Sequence, residues 1–362
     1  MKIFQNFIGG NIEYVGQNGK EIFLRQELRD TTEWWFYFRF GATAKEDGEY
    51  VFRFCNGDVI GNFGVAISRD NREFFFDPNT VISHRAFKKT FKAGETLYFA
   101  FCYPYQLADF HSFISPKLGL KNLKRIPMPD SEKGRAQHAY LFGNLDSKKT
   151  VLLTARHHAC ESVANYVLEG LVECLLNEKN AVTEDCKVLL VPFMDIDGVE
   201  DGDQGKSRFP HDHNRDYLQN PVYSSVRFLY DFFAKEKLVY AMDLHCPGKY
   251  GGIHDYMSLI EGGAEIAPAQ QRFSDLLERN VQTEKGEISY SRAHNVLFMT
   301  EWNKPAPNSL SFFVKHKARL GFTFEIPYCG ENETAYSKDG LRRFGFVMAK
   351  TLDEFHRTGE KS

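Results

Sequence analysis

Two residues three apart, His158 and Glu161, close the segment Arg156-His157-His158-Ala159-Cys160-Glu161, which follows a short apolar run over 151–155. Where a strand turns into a helix, that spacing sets an imidazole and a carboxylate on one face. Three further apolar runs end in residues of the same kinds. Residues 187–193 lead through Asp195 and Asp197 into a long loop ending Pro210-His211-Asp212-His213-Asn214-Arg215. Residues 238–244 are followed by His245, and the run 321–326 itself carries Glu325. In an open α/β sheet, ligands bind beyond the carboxyl ends of the strands, so these strand ends are read together as one site. Two histidines and a glutamate (His158, His245, Glu161) leave a position open for water, the arrangement of hydrolytic zinc sites. Zinc lowers the pKa of such a water to roughly 7 and polarises a substrate carbonyl. Any one of these residues alone is weak evidence; their joint placement at strand ends carries the reading.

The elements that must position them follow from the hydrophobic pattern. From about residue 104, strands over 151–155, 187–193, 238–244 and 321–326 alternate with helices over 161–176, 221–235, 268–283 and 335–357. That alternation predicts an α/β fold with a largely parallel sheet. The polar stretch 121–135, with Pro127 and Pro129, reads as a loop within this part. Residues 1–103 differ. Short aromatic-rich runs (21–25, 34–40, 50–54, 65–67, 74–76, 97–101) are separated by Asn18-Gly19, Asp47-Gly48, Asn56-Gly57 and Asp77-Pro78. With no helical period, they predict an antiparallel β-sandwich, in which the stripe 34–40 is a core strand rather than a carbohydrate platform. The chain is therefore divided into a sandwich domain, 1–103, and a catalytic domain, 104–362.

Composition removes other classes. The 362 residues carry 45 Lys+Arg against 48 Asp+Glu, a net charge of −3, which argues against nucleic acid as a partner. No run approaches the roughly 18 apolar residues of a membrane helix, and the first residues lack the apolar core and cleavage site of a secretory signal. Seven scattered cysteines without a CxxC pair (Cys55, Cys102, Cys160, Cys174, Cys186, Cys246, Cys329) fit neither a disulfide framework nor a Cys-rich zinc module. A cytoplasmic chain with reduced, mostly buried thiols is expected.

Four motifs in order, ARHHACES (155–162), DHNR (212–215), DLH (243–245) and TFE (323–325), resemble the zinc carboxypeptidases of the M14 family. The leading aromatic β-domain, Tyr103-Pro104-Tyr105 and the Ala155-Arg156 start of the first motif look most like its cytosolic carboxypeptidase branch. The resemblance spans essentially the whole chain and implies an α/β/α sandwich with a mixed sheet. It also implies one Zn2+ per chain on His158, Glu161 and His245. Glu325 would be the general base, taking a proton from the attacking water and passing it to the leaving amine. Asn214 and Arg215 would hold the terminal carboxylate of the substrate, the arginine as a planar fork. Asp212 would orient a zinc histidine from behind.

Departures from the family pattern matter as well. An arginine that polarises the scissile carbonyl often precedes the Asn-Arg pair; here the loop reads Asp203-Gln-Gly-Lys206-Ser-Arg208, and either Lys206 or Arg208 is assigned that role. Pancreatic-type members have a mobile tyrosine where this chain reads Glu301-Trp302-Asn303-Lys304, and Leu310 falls near the specificity position, leaving side-chain preference unassigned. The implied activity is removal of C-terminal residues from peptides or protein tails. Two rivals are deacylation of N-acyl amino acids and an inactive relative whose sandwich binds a partner; a third, bland role for the sandwich is to buttress the catalytic domain or narrow its cleft. His157 is expected to point away from the metal, His211, His213 and His254 to be surface loop residues, and Cys160 and Cys246 to be unactivated thiols.

Overall fold

Residues 151–155 and 187–191 are apolar at nearly every position, so their strands need cover on both faces, and they lie at the centre of a seven-stranded sheet. In this computed structural model, which describes residues 1–120, 122–331 and 334–359, the strand order across that sheet is Lys124–Met128, Gln137–Gly143, Lys187–Val191, Lys149–Ala155, Lys237–His245, Leu320–Glu325 and Ser258–Ile260. The four central strands are parallel and the outer pairs antiparallel, so the sheet is mixed.

Period-two alternation separates its faces. Val151, Leu153, Val188, Leu190 and Met242 share a core with the helices Ala164–Asn177, Ala267–Glu284 and Lys338–Gly359. Leu152, Leu189, Val191 and Ala241 meet Val226, Leu229 and Phe233 of the helix Ser224–Phe233 and Phe312 and Phe313 of the helix Ser309–Lys315. Helices thus cover both faces, giving the α/β/α sandwich.

The expected loop over 121–135 needs correction, although Lys121 lies outside the described residues. It contains the strand Lys124–Met128, which among the described residues pairs only with Gln137–Gly143. As an edge strand it tolerates Pro127, whose missing N–H no second neighbour requires.

The amino-terminal part forms two five-stranded sheets, Lys2–Phe4, Arg39–Thr43, Thr96–Ala100, Ala66–Ser68 and Phe75–Phe76 against Glu13–Asn18, Glu21–Arg25, Gly48–Phe54, Ala86–Phe91 and Val81–Ser83. All pairs are antiparallel except Glu21–Arg25 with Gly48–Phe54, which is parallel. Rings fill the space between the sheets. Phe52 stacks on Phe87 at 4.7 Å and meets Phe99 of the facing sheet at 5.2 Å. Phe52→Leu removes these ring contacts and is expected to cost about 1–2 kcal/mol of stability, read as a lowered urea midpoint. An unshifted midpoint would show that the facing rings repack at no cost.

The stripe 34–40 is buried from Phe36 to Phe38 and at Phe40, yet strand pairing begins only at Arg39. The reason is a side chain from far along the chain. Gln204 accepts from Tyr37 N at 2.9 Å and donates to Tyr37 O at 2.9 Å, doing what a neighbouring strand would otherwise do.

Candidate active site

The strand Lys149–Ala155 delivers the chain into a turn whose first residue, Arg156, sits in the left-handed region at φ 61°. Its buried guanidinium pins that conformation by donating to Tyr105 O at 2.8 Å, Asn165 Oδ1 at 3.1 Å and Ala159 O at 3.0 Å. The next two residues then diverge, with His157 directed to Asp243 and His158 to Glu161. On the adjacent strand His245 ends Lys237–His245, in register with Glu325, the last residue of Leu320–Glu325. The parallel register brings an imidazole and a carboxylate together at the carboxyl edge of the sheet.

His158, Glu161 and His245 converge there, each offering a ligand atom within 4.8 Å of the others. His158 Nδ1 lies 2.9 Å from Glu161 Oε1, His245 Nδ1 lies 2.9 Å from Glu161 Oε2, and the two imidazole nitrogens are 3.2 Å apart. His245 presents Nε2 to Asp243 Oδ2 at 2.7 Å, and His158 presents Nε2 to Asp212 Oδ1 at 3.5 Å. With those nitrogens carrying the protons, two Nδ1 lone pairs and a carboxylate point at one another. Such a set needs a cation between its members.

The charges agree. Burial disfavours a proton on His245, but Asp243 and Glu161 outweigh it and raise its pKa well above the usual value. Burial likewise opposes ionisation of Glu161, but His158, Lys206 and His245 hold its pKa well below the carboxylate range. Glu161 Oε2 and Glu325 Oε2 are buried without hydrogen-bond partners. Two nitrogens and one carboxylate are the donor set of a borderline divalent ion, so the residues present fit a metal.

Glu325 stands beside this cluster, with no ion pair to it among the described residues. Burial, reinforced by Glu161, pushes its carboxyl up to about 7, a position suited to moving a proton near neutral pH.

A cleft of about 380 Å³ opens over the cluster, and Asn214, Arg215, Lys206, Trp35, Leu310 and Trp302 are among its walls. Asn214 Oδ1 accepts from Ser309 N at 3.0 Å, leaving its Nδ2 to donate. Arg215, exposed in the same cleft, spends one contact on Asn214 O at 3.2 Å.

The two cations assigned jointly to the carbonyl separate here. Lys206 touches the cluster, with Nζ 2.7 Å from Glu161 Oε1. Arg208 faces the other way and is ringed by Asp195 at 2.7 Å, Asp30 at 3.1 Å and Asp203 at 3.1 Å. Three carboxylates occupy its fork, so the structure does not bring Arg208 to the site. Ser207, between them, has φ 51°, which reverses the chain from one side to the other.

Sequence reasoning missed Asp243, although its period-two spacing from His245 on a strand was a readable signal. Fully buried, Asp243 links His245 to His157 Nδ1 at 2.9 Å and accepts from Thr154 Oγ1 at 2.8 Å, and His157 Nε2 reaches Tyr217 OH at 2.8 Å. His157 therefore stands behind the cluster, in a hydrogen-bonded chain. Asp243→Asn replaces an acceptor by a group that can also donate and frees the His245 tautomer. It is expected to weaken metal binding about 10–100-fold, measured by competition against a chelator of known affinity; unchanged affinity would remove Asp243 from this role.

His213 also needs correction. It is 4% exposed and stacks on Tyr223 at 3.6 Å, because the loop folds inward there. His211 pairs with Asp216 at 2.7 Å, and His254 lines the cleft. Burial pushes the Cys160 thiol up to about 11 and raises that of Cys246 well above its ordinary value, so neither is an activated thiolate.

No family model matches the chain. Cytosolic carboxypeptidase 6 of Caenorhabditis elegans is 23% identical over 295 residues, 70% of this chain and 64% of its own length. Cytosolic carboxypeptidase 3 of Mus musculus is 26% identical over 340 residues, 83% of this chain but 31% of its own. The chain thus spans less than two thirds of these longer relatives. Among solved structures, a metallo-carboxypeptidase from Pseudomonas aeruginosa, in complex with (2-guanidinoethylmercapto)succinic acid, superposes with a TM-score of 0.81 at 19% identity, over 99% of both chains. The fold is that of a metallocarboxypeptidase from end to end. In sequence the chain is thus similar to cytosolic carboxypeptidases, and in fold to metallocarboxypeptidases of known structure.

Proposed function

We propose that the protein is a zinc-dependent carboxypeptidase that hydrolyses the last bond of a peptide or protein tail. The observation that carries this reading is the convergence of His158, Glu161 and His245 beside the unpartnered oxygen of Glu325. A bound divalent ion supplies Lewis-acid polarisation of the scissile carbonyl and a more acidic water.

The chain's own residues do the rest. Arg215 and Asn214 grip the free terminal carboxylate, which selects the end of the chain and sets which bond faces the cluster. Glu325 takes a proton from the attacking water and returns it to the leaving amine. Lys206 supplies positive charge where the carbonyl oxygen becomes anionic; in a cleft partly closed to water such a preplaced charge is worth more than in solution. A buried catalytic role also fits the cost of keeping Glu161, Glu325 and Lys206 out of water.

The test is a panel of peptides with varied C-termini, read by mass spectrometry with and without chelator. The expected result is stepwise loss of C-terminal residues that stops when the metal is removed and does not occur on C-terminal amides. Cleavage of N-acyl amino acids without any peptide cleavage would give the site to deacylation. No cleavage of either class by metal-loaded protein would leave a binding protein.

A further inference from the structure

Lys206 is the cleft cation whose seat is built almost entirely by other parts of the chain. Its ammonium has three donors and three fixed neighbours: Glu161 Oε1 at 2.7 Å, Cys246 O at 3.2 Å, and the ring face of Trp35, 4.7 Å from Nζ to the centroid. Trp35 comes from the amino-terminal part of the chain and lines the cleft.

The same part holds the loop that carries Lys206. Asp30 accepts from Gln204 N at 3.0 Å and Gly205 N at 2.8 Å. Thr32 donates through both N and Oγ1 to Ser207 O. Ser207 Oγ donates to Glu33 Oε2 at 2.8 Å and accepts from Trp35 Nε1 at 3.4 Å. From the opposite side the loop presses on the metal-site turn. Cys160 N donates to Gln204 O at 3.2 Å, and Gly205, at φ 78°, approaches so closely that a Cβ there would lie 2.1 Å from Ala159 N. A loop held between two rigid walls, with one flexible lysine on it, leaves the final placement of that lysine to whatever touches its head group.

We propose that Trp35 is a positioning residue: its indole face fixes the ammonium of Lys206 at the metal-site edge of the cleft, so that the amino-terminal sandwich completes the active site. This rests on the proposed carboxypeptidase reading for its consequence in turnover, but not for the contact itself. An ammonium over an indole in a partly desolvated cleft is held by the ring's negative face, and the indole also excludes water that would otherwise solvate it. Phenylalanine keeps a ring face, whereas leucine fills similar space without one.

The experiment has two readouts on metal-loaded protein. In the first, lysine acylation by a small reagent is followed residue by residue by mass spectrometry, with exposed Lys304 as internal reference. Lys206 is expected to react at least about fivefold faster in Trp35→Leu than in the parent, and within about twofold of the parent in Trp35→Phe. In the second, kcat for C-terminal hydrolysis is expected to fall about tenfold in Trp35→Leu with KM within about twofold, and to recover most of that loss in Trp35→Phe. In a Lys206→Met background, Trp35→Leu is expected to cost nothing more. Unchanged Lys206 reactivity in Trp35→Leu overturns the proposal whatever the activity. A full further loss in the Lys206→Met background overturns it too, because Trp35 would then act on substrate directly. If the parent cleaves no peptide, the carboxypeptidase reading fails and the labelling result alone decides the contact. Should Trp35→Leu not fold, Trp35→Met takes its place in both readouts.

Discussion

Glu325→Gln is expected to keep its metal and lose about two to four orders of magnitude in kcat, the range general-base catalysis contributes. The substitution changes little else. Glutamine has the same shape, but its amide cannot accept a proton near neutral pH. Glu325 Oε2 is buried without a partner, so no structural hydrogen bond to that oxygen is lost. The residue is outside the His158, Glu161 and His245 donor set, so chelator competition should give a metal affinity within about threefold of the parent. Stability should hold or rise, because burial and the neighbouring Glu161 already disfavour the charged form of Glu325, and the amide removes that charge. Near-normal turnover would take Glu325 out of the mechanism. An inactive variant that had also lost its metal would instead make it part of the ion's own binding set.

What the sequence disclosed divides along physical lines. The short-range relations were readable. The three-residue spacing of His158 and Glu161 and the placement of His245 and Glu325 at strand ends are set by local periodicity, and the structure brings those four residues to one place. Relations depending on a distant side chain were not readable. The aromatic stripe 34–40 has strand composition, but Gln204, about 170 residues on, takes the backbone hydrogen bonds of Tyr37 at its centre. The strand Lys124–Met128 was hidden by Pro127 and Pro129, because nothing local says that it lies at an edge. Lys206 and Arg208 could not be told apart until the positions of Asp30, Asp195 and Asp203 showed which cation three carboxylates claim. Tyr217, at the far end of the His157 chain, has no spacing that would have announced it.

Arg215→Gln is expected to lower kcat/KM on peptides with a free C-terminus by about two orders of magnitude, and to remove most of the preference for free acids over C-terminal amides. A guanidinium meets a carboxylate with two parallel charge-assisted hydrogen bonds, and each bond to a charged group is worth about 1.5–3 kcal/mol. Because the Arg215 side chain is exposed in the cleft, its gain is partly screened, which sets the expectation at the lower end of that sum. Glutamine reaches a similar distance with a neutral amide and one donor group. Arg215→Lys separates the two contributions: it keeps the charge and loses the planar fork, so an intermediate loss of about tenfold is expected. Asn214, whose Oδ1 is occupied by Ser309 N, keeps its Nδ2 available in both variants, so residual discrimination against amides should persist at a few-fold and vanish when Asn214→Ala is added. The loss should fall mainly on KM for longer peptides, which have other contacts to place the bond, and on kcat for dipeptides, which have only this anchor. An Arg215→Gln variant that still rejects amides as strongly as the parent would show that the terminal carboxylate is held elsewhere, and the assignment of the cleft's polar end would have to move.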